Sequence, residues 1–115
     1  ANIGESNFIY FGDSNYNYEK KIEFDKSLDK SYSIDTADLD LDGDIDIVIG
    51  NSNSPNTVFY NDGSGIAWTK SILSNNNFNT YDIKISDLNN DGKPEIIESN
   101  SDERNIFYLN QSINR

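Results

Sequence analysis

The sequence predicts an all-β fold made of β-propeller blades, each with four antiparallel strands. Three observations support this fold class: the chain repeats with a period of 49 residues, its apolar residues form short β-type runs, and no window of useful length has a helical apolar period. Four short strands in a repeat of roughly 40 to 50 residues are typical of propeller blades. We therefore expect consecutive blades along the chain.

The repeat is visible when the chain is aligned with itself at an offset of 49 residues. Tyr32 then pairs with Tyr81, and the match extends over most of the chain. Near Asn105 a one-residue slip aligns residues 106–108 with residues 58–60. The chain holds about two and a third periods, so it predicts an incomplete ring.

Nine runs rich in β-branched or aromatic residues are candidate strands, and Asn, Ser, Gly and Asp clusters separate them. They form a single propeller segment over 1–115, in which 1–28 end one blade, 29–78 form a full blade, and 79–115 hold the first three strands of another. The predicted strands are Phe8–Phe11, Ile22–Asp25, Tyr32–Ala37, Ile45–Gly50, Thr57–Asn61, Ala67–Leu73, Tyr81–Ser86, Glu95–Glu98 and Ile106–Leu109.

The composition limits the classes of function. The chain has 20 acidic and 9 basic residues, and its net charge of −11 repels nucleic acid and anionic membranes. No apolar run is long enough to insert into a membrane. Cysteine is absent, so no disulfide can reinforce the thin core that 115 residues allow, and a bound metal is the remaining reinforcement.

An acidic loop dominates the middle of the chain, where five Asp residues alternate with other residues and a glycine follows the third of them. Oxygen donors at alternate positions around a sharp turn are the ligands that Ca²⁺ requires, whereas Mg²⁺ prefers a tight octahedron with several waters. We expect side-chain oxygens from four residues and the backbone carbonyl of a fifth to bind one Ca²⁺. The side chains are those of Asp38, Asp40, Asp42 and Asp46, and the carbonyl is that of Asp44.

A second loop of the same pattern lies one period later and predicts a second Ca²⁺ site. It has one fewer charge, a longer acid at its last position, and Pro94 before that acid, so we expect weaker binding. Its predicted ligands are the side chains of Asp87, Asn89, Asp91 and Glu95 and the carbonyl of Lys93.

Two other interpretations compete with calcium sites in a propeller. The acids could form solvated turns, although two such turns in register, each with its glycine, favour metal binding. An EF-hand is the second alternative, because Glu98 occupies the twelfth position of the second loop. Ile49 occupies that position in the first loop, and both loops run into β-rich segments, which argues against helices.

These motifs resemble a known family. The Asp-Leu-Asp-x-Asp-Gly-x-x-Asp loop that runs into Ile-Val-Ile-Gly-Asn, together with Asn56–Gly63, is similar to the FG-GAP/VCBS repeat of integrin-type β-propellers. The resemblance implies that each cation loop joins the first two strands of a blade. It also implies that ligands bind the opposite face, on Asn2–Asn7, Lys26–Lys30, Asn51–Asn56, Ser74–Asn79 and Asn100–Asn105.

Propellers of that family usually have about seven blades, which is more than this chain supplies. The resemblance therefore implies either a piece of a larger propeller or self-association of several copies, and three chains would supply a trimeric ring of about seven periods.

Four residues are candidates for ligand contact: Trp68, Phe78, Asn53 and Asn77. Phe78 lies in an Asn-rich loop on the expected ligand face. Trp68 lies on a fourth strand, where packing against a neighbouring strand is an alternative role. The remaining strand aromatics are expected between blades.

The sequence favours a non-enzymatic, calcium-binding repeat module for extracellular adhesion or for binding a glycan or protein ligand. Weak sites of this kind fill at extracellular calcium levels, which indicates a secreted or cell-surface location. The alternative is a passive scaffold repeat from a larger secreted enzyme or toxin. Catalysis is not expected, because the chain has no histidine and its clustered acids are assigned to the cation loops.

Overall fold

The computed structural model describes residues 1–111, and within this range the chain is all-β, as predicted. Every predicted strand is present, and no described helix is long and apolar enough to cross a membrane. The strands are β1 (Asn7–Phe11), β2 (Lys20–Asp25), β3 (Lys30–Ala37), β4 (Asp46–Ser52), β5 (Thr57–Asn61), β6 (Trp68–Ile72), β7 (Asn79–Ser86), β8 (Glu95–Ser101) and β9 (Ile106–Tyr108).

The strands form three groups that follow the repeat. The middle blade, β3–β6, is a four-stranded antiparallel sheet with the strands in chain order. The last blade, β7–β9, repeats the first three strands of that sheet, and the first blade, β1–β2, is a separate two-stranded sheet. The curled arrangement is an incomplete propeller, as the sequence predicted.

Strand β4 is the centre of the core because neighbouring blades cover both of its faces. Successive side chains of a strand point to opposite faces. Ile47 and Ile49 therefore pack with Phe59 toward the first blade, whereas Val48 packs toward Ile83 of the last blade. Full burial of each such side chain contributes about 1.5–3 kcal/mol, so a strand that is apolar on both faces stabilises two blade interfaces at once.

The innermost strands of the middle and last blades are linked mainly by side chains. The Ser33 hydroxyl donates to Asp82 Oδ1 at 3.0 Å, and Asp35 Oδ2 accepts the backbone N–H of Ile85 at 2.8 Å. A single backbone ladder pair, Ser52 with Asn79, joins the two blades in the described range. The middle and last blades are therefore joined by this one ladder pair and by side-chain hydrogen bonds between their innermost strands.

The one-residue slip suggested near Asn105 is wrong. Tyr108 lies opposite Ile96 in the β8–β9 pair, just as Phe59 lies opposite Ile47 in the β4–β5 pair. The offset of 49 residues therefore continues unchanged through β9.

Asparagine side chains explain this register. The backbone N–H of Asn100 donates to Asn105 Oδ1 at 2.8 Å, which repeats the bond from Asn51 to Asn56 Oδ1 at 2.7 Å. A shift by one residue would break this contact and would turn Tyr108 to the opposite face of the sheet. The local resemblance of aromatic residues was therefore a weaker signal than the asparagine spacing.

Gly50 allows the innermost strand of the last blade to pass close to β4. A Cβ atom at this position would lie 2.8 Å from Ile83 Cγ1 and 3.0 Å from Thr80 Cγ2. Real Cβ atoms do not approach side-chain carbons so closely. The absence of a side chain at Gly50 is therefore required by the interface between the middle and last blades.

We predict that Gly50→Ala lowers the free energy of unfolding by about 1–3 kcal/mol, because the added methyl group overpacks this interface. Urea denaturation measures the change. In the double variant with Ile83→Ala, which removes the closest atom, the combined loss should be smaller than the sum of the two single losses. Additive losses would contradict a direct steric conflict between the two positions.

Candidate metal centre

The two acidic loops occupy equivalent places at one end of the fold. Residues 38–45 join β3 to β4, and residues 87–94 join β7 to β8. Both loops use left-handed backbone at matching positions, with φ of 61° at Leu41 and 60° at Asn90. Each loop therefore connects the first two strands of its blade, as the family resemblance implied.

The first loop brings three carboxylates together. Asp38, Asp40 and Asp42 each offer a carboxylate oxygen, and these oxygens lie within 4.8 Å of one another. Backbone amides of the loop hold two of these groups: Asp38 Oδ2 accepts the N–H of Gly43 at 2.9 Å, and Asp42 Oδ1 accepts the N–H of Asp44 at 2.9 Å. The turn thus orients the acids toward a common point.

Asp46 follows the loop as the first residue of β4 and is completely buried. Its two oxygens accept the backbone N–H groups of Leu39 at 2.9 Å and Asn61 at 3.0 Å. Burial is the largest cause that raises the pKa of Asp46 above its usual value, and the charges of Asp42 and Asp38 add to it, while the two amide bonds act in the opposite direction. The carboxylate therefore joins the start of the loop to the end of β5.

The buried carboxylate of Asp40 is the group in the first loop that most clearly indicates a cation site. Its Oδ1 atom is buried and accepts no hydrogen bond among the described residues. The pKa of Asp40 is raised by burial first and then by the neighbouring charges of Asp46 and Asp42. Buried polar atoms normally have a partner, and a cation beside Asp40 would both satisfy this oxygen and offset the repulsion between the carboxylates. The donor set, which consists of oxygen atoms alone, fits Ca²⁺.

The second loop has the same backbone contacts with fewer charges. Asp87 Oδ2 accepts the N–H of Gly92 at 2.9 Å, and the buried carboxylate of Glu95 accepts the N–H of Leu88 at 2.8 Å. Asn89 Oδ1 accepts the N–H of Asp91 at 3.2 Å, so an amide stands where the first loop has Asp40. No cluster of three carboxylates forms here within residues 1–111.

The two carbonyl ligands predicted at Asp44 and Lys93 lie at matching places in the loops. The N–H of Asp44 donates to Asp42, and the N–H of Lys93 donates to Asp91 at 2.9 Å. Lys93 carries a positive charge in the second loop, whereas its counterpart in the first loop, Asp44, carries a negative charge. This difference weakens the negative potential of the second loop further.

The four candidate ligand-contact residues do not form one site. Asn53 and Phe78 lie in neighbouring loops, and the N–H of Asn53 donates to the carbonyl of Phe78 at 3.0 Å. Asn77 precedes Phe78 in its loop and is exposed. Trp68 lies opposite Asn61 at the cation-loop end of the middle blade. Its ring packs 6.1 Å from Phe24, and its Nε1 donates to the carbonyl of Gly65 at 3.1 Å.

A buried polar network at the opposite end was not recognised in the sequence. Asn56 Nδ2 donates to Thr80 Oγ1 and to Glu98 Oε2, both at 2.8 Å, and the Thr80 hydroxyl donates to Asn100 Oδ1 at 2.6 Å. Tyr108 also donates to Glu98, at 3.2 Å. These bonds join the middle blade to the last blade.

The same motif occurs one repeat earlier. Asn7 Nδ2 donates to Ser31 Oγ at 3.1 Å, and the Ser31 hydroxyl donates to Asn51 Oδ1 at 3.0 Å. The acid differs between the repeats: Asn7 donates to Asp25 of its own blade at 3.1 Å, whereas Asn56 donates to Glu98 of the next blade. Asn7 and Asn56 are 49 residues apart, as are Ser31 and Thr80. This repeated spacing is the feature of the sequence that could have predicted the hydrogen bonds between blades.

Comparison with family models identifies the class of this chain. An FG-GAP-like repeat matches residues 38–98, which is 61 of the 115 residues and begins at the first acid of the first loop. The chain therefore belongs to the FG-GAP-like repeat family, as the sequence motifs suggested. Comparisons with curated proteins and with solved structures gave no match. Repeats of this family are generally non-enzymatic.

We predict that Asn56→Ala lowers the free energy of unfolding by about 1–3 kcal/mol, because it leaves the buried backbone N–H of Asn51 without its acceptor and removes one donor from the buried Glu98 carboxylate. Urea denaturation measures this loss. Asn105→Ala is the matched control, since Asn105 is the repeat counterpart of Asn56 but is exposed. A loss at Asn56 no larger than that at Asn105 would show that the inter-blade network contributes little.

Proposed function

We propose that this chain is a calcium-stabilised, non-enzymatic propeller module that acts outside the cell in adhesion or in binding a glycan or protein ligand. The observation that carries the calcium assignment is the carboxylate cluster of Asp38, Asp40 and Asp42, in which one buried oxygen accepts no hydrogen bond from residues 1–111. Ca²⁺ is expected in the first loop with the higher affinity and in the second loop with the lower affinity.

The extracellular location follows from this assignment. The second loop, which has fewer charges and is partly exposed, would bind Ca²⁺ weakly, with a dissociation constant of roughly 10⁻⁴ to 10⁻³ M, which suits extracellular calcium. Self-association or further repeats would complete the ring, and the loops at the Asn53–Phe78 end would face the ligand. The N–H of Asn53 donates to the carbonyl of Phe78, so the two candidate loops lie side by side at this end.

Calcium should stabilise the chain measurably. At a free concentration of about ten times the dissociation constant, one site contributes about 1.4 kcal/mol, and each kcal/mol raises the melting temperature of a small domain by about 4–8 °C. Differential scanning calorimetry in millimolar CaCl₂, and again with excess chelator, measures the shift. Magnesium at the same concentration is the control and should give a smaller shift. Equal melting temperatures in calcium and chelator would refute the calcium assignment.

Single substitutions test which of the two loops binds Ca²⁺ with the higher affinity. Asp42→Ala should remove most of the calcium-dependent shift, because Asp42 belongs to the three-carboxylate cluster, whereas Asp91→Ala should remove a smaller part. Glu103→Ala is the control, since it deletes an exposed acid outside both loops. Isothermal titration with CaCl₂ gives the number of sites that each variant retains. The ranking fails if Asp42→Ala and Asp91→Ala lose calcium binding to the same degree.

Ligand binding distinguishes an adhesion module from a passive scaffold. The intact chain in calcium, tested on a glycan array and against immobilised extracellular-matrix proteins, should bind at least one component. Phe78→Ala should lower that binding, while Ile72→Ala, which removes an exposed apolar side chain outside that loop, should leave it unchanged. Absence of binding by a folded, calcium-loaded chain would favour the scaffold alternative.

A further inference from the structure

The side-chain amide of Asn110, which follows β9, is hydrogen-bonded to both acidic loops. Its Nδ2 atom donates to the carbonyl of Leu39 in the first loop at 2.9 Å and to the carbonyl of Pro94 in the second loop at 3.0 Å. An amide NH₂ group has two hydrogens to donate, and each loop offers one acceptor. Asn110 therefore joins the middle blade to the last blade at the end of the fold that carries the candidate metal centre.

The repeat shows which of these two bonds crosses between blades. Asn61 stands 49 residues before Asn110. Its Nδ2 atom donates to the carbonyl of Ile45 at 3.1 Å, and Ile45 is the counterpart of Pro94. This bond joins each asparagine to the loop of its own blade. The bond from Asn110 to Leu39 reaches the loop of the preceding blade instead.

Leu39 lies between two of the predicted calcium ligands, Asp38 and Asp40. Its side chain is buried in the core cluster that the middle and last blades share. Its N–H donates to Asp46 Oδ2 at 2.9 Å, and its carbonyl accepts from Asn110. Because the side chain and both backbone groups of Leu39 are held, its position determines where the two neighbouring carboxylates can lie.

Asn110 is equally close to the ligands predicted in the second loop. Pro94 directly precedes the predicted ligand Glu95. The backbone N–H of Asn110 also donates to Glu95 Oε1, in a long bond of 3.5 Å, while Glu95 Oε2 accepts the N–H of Leu88 at 2.8 Å. A single residue thus contacts the backbone beside the predicted ligands of both loops.

We propose that Asn110 is a positioning residue that couples the two cation loops, so that Ca²⁺ in one loop raises the affinity of the other loop. This coupling rests on the calcium assignment made above. A cation that orders one loop fixes the carbonyl bonded to Asn110, and the planar amide group then orders the acceptor on the other loop. The second cation loses less conformational entropy on binding. Coupling between sites typically changes affinity by about 5–150-fold, and a link through one side chain should give about fivefold.

A cycle of four chains titrated with CaCl₂ tests the coupling: the unsubstituted chain, Asp42→Ala, Asn110→Ala and the double variant. Amide resonances of residues 87–94 in the ¹⁵N-labelled chains report the affinity of the second loop. Asp42→Ala, which empties the first loop, should weaken binding at the second loop about fivefold. In the Asn110→Ala background the same substitution should have no effect on the second loop. Gln111→Ala removes the neighbouring exposed amide, and in this matched control Asp42→Ala should keep its fivefold effect.

The sign of the effect separates this contact from long-range electrostatics. Asp42→Ala removes one carboxylate and, with it, a divalent cation, so the first loop becomes more negative. A more negative first loop would attract Ca²⁺ to the second loop more strongly. A fall in the affinity of the second loop therefore has the opposite sign to the through-space effect.

Each negative result has a distinct meaning. Equal affinity of the second loop in the unsubstituted chain and in Asp42→Ala, or Ca²⁺ binding by one loop alone, would overturn the coupling and leave the calcium assignment intact. A fivefold loss that persists in the Asn110→Ala background would overturn the role of Asn110. Binding of Ca²⁺ by neither loop would overturn the proposed function as well.

A second measurement does not depend on the folding of Asn110→Ala. The side-chain NH₂ resonances of Asn110 should shift when the second loop fills in Asp42→Ala, and again when the first loop fills in Asp91→Ala. Unchanged Asn110 side-chain resonances in either titration would overturn the proposal.

Discussion

The middle and last blades each depend on one buried carboxylate that accepts hydrogen bonds from the backbone amides of two separate segments. Asp46 accepts the N–H of Leu39, at the start of the cation loop, and the N–H of Asn61, at the end of the third strand. In the last blade Glu95 accepts the N–H of Leu88 in the same way. Since a buried charge without partners is destabilised by several kcal/mol, this contact fixes the loop relative to the strands.

The buried acid also connects folding with the candidate metal site. It stands beside the carboxylates that would bind a cation, and its own pKa is raised by burial and by the charges of Asp42 and Asp38. A divalent ion would relieve that repulsion without disturbing the amide contacts, because the carboxylate oxygens have further lone pairs. The acidic loop, the second strand and the third strand are therefore expected to respond to calcium as one unit.

The sequence predicted the strands and loops well because both depend on local patterns. β-branched runs between turn residues gave all nine strands, and alternating oxygen donors marked both acidic loops. The inter-blade polar network was missed, since asparagine in a loop is usually a turn former and only packing shows that Asn56 reaches Glu98. The false slip at β9 had a related cause, because aromatic similarity was given more weight than the spacing of Asn105 and Asn110.

The side-chain links between blades have a consequence for cooperativity. Within residues 1–111, a single strand pairing joins the first blade to the middle blade, between Ile3 and Lys30, and a single pairing joins the middle blade to the last blade, between Ser52 and Asn79. In a linear array, the energy of each unit depends on its nearest neighbour, and melting proceeds inward from the end with the weakest coupling. Partial unfolding is thus expected to start at a terminal blade, with the middle blade, which packs against a neighbour on both sides, as the last unit to open.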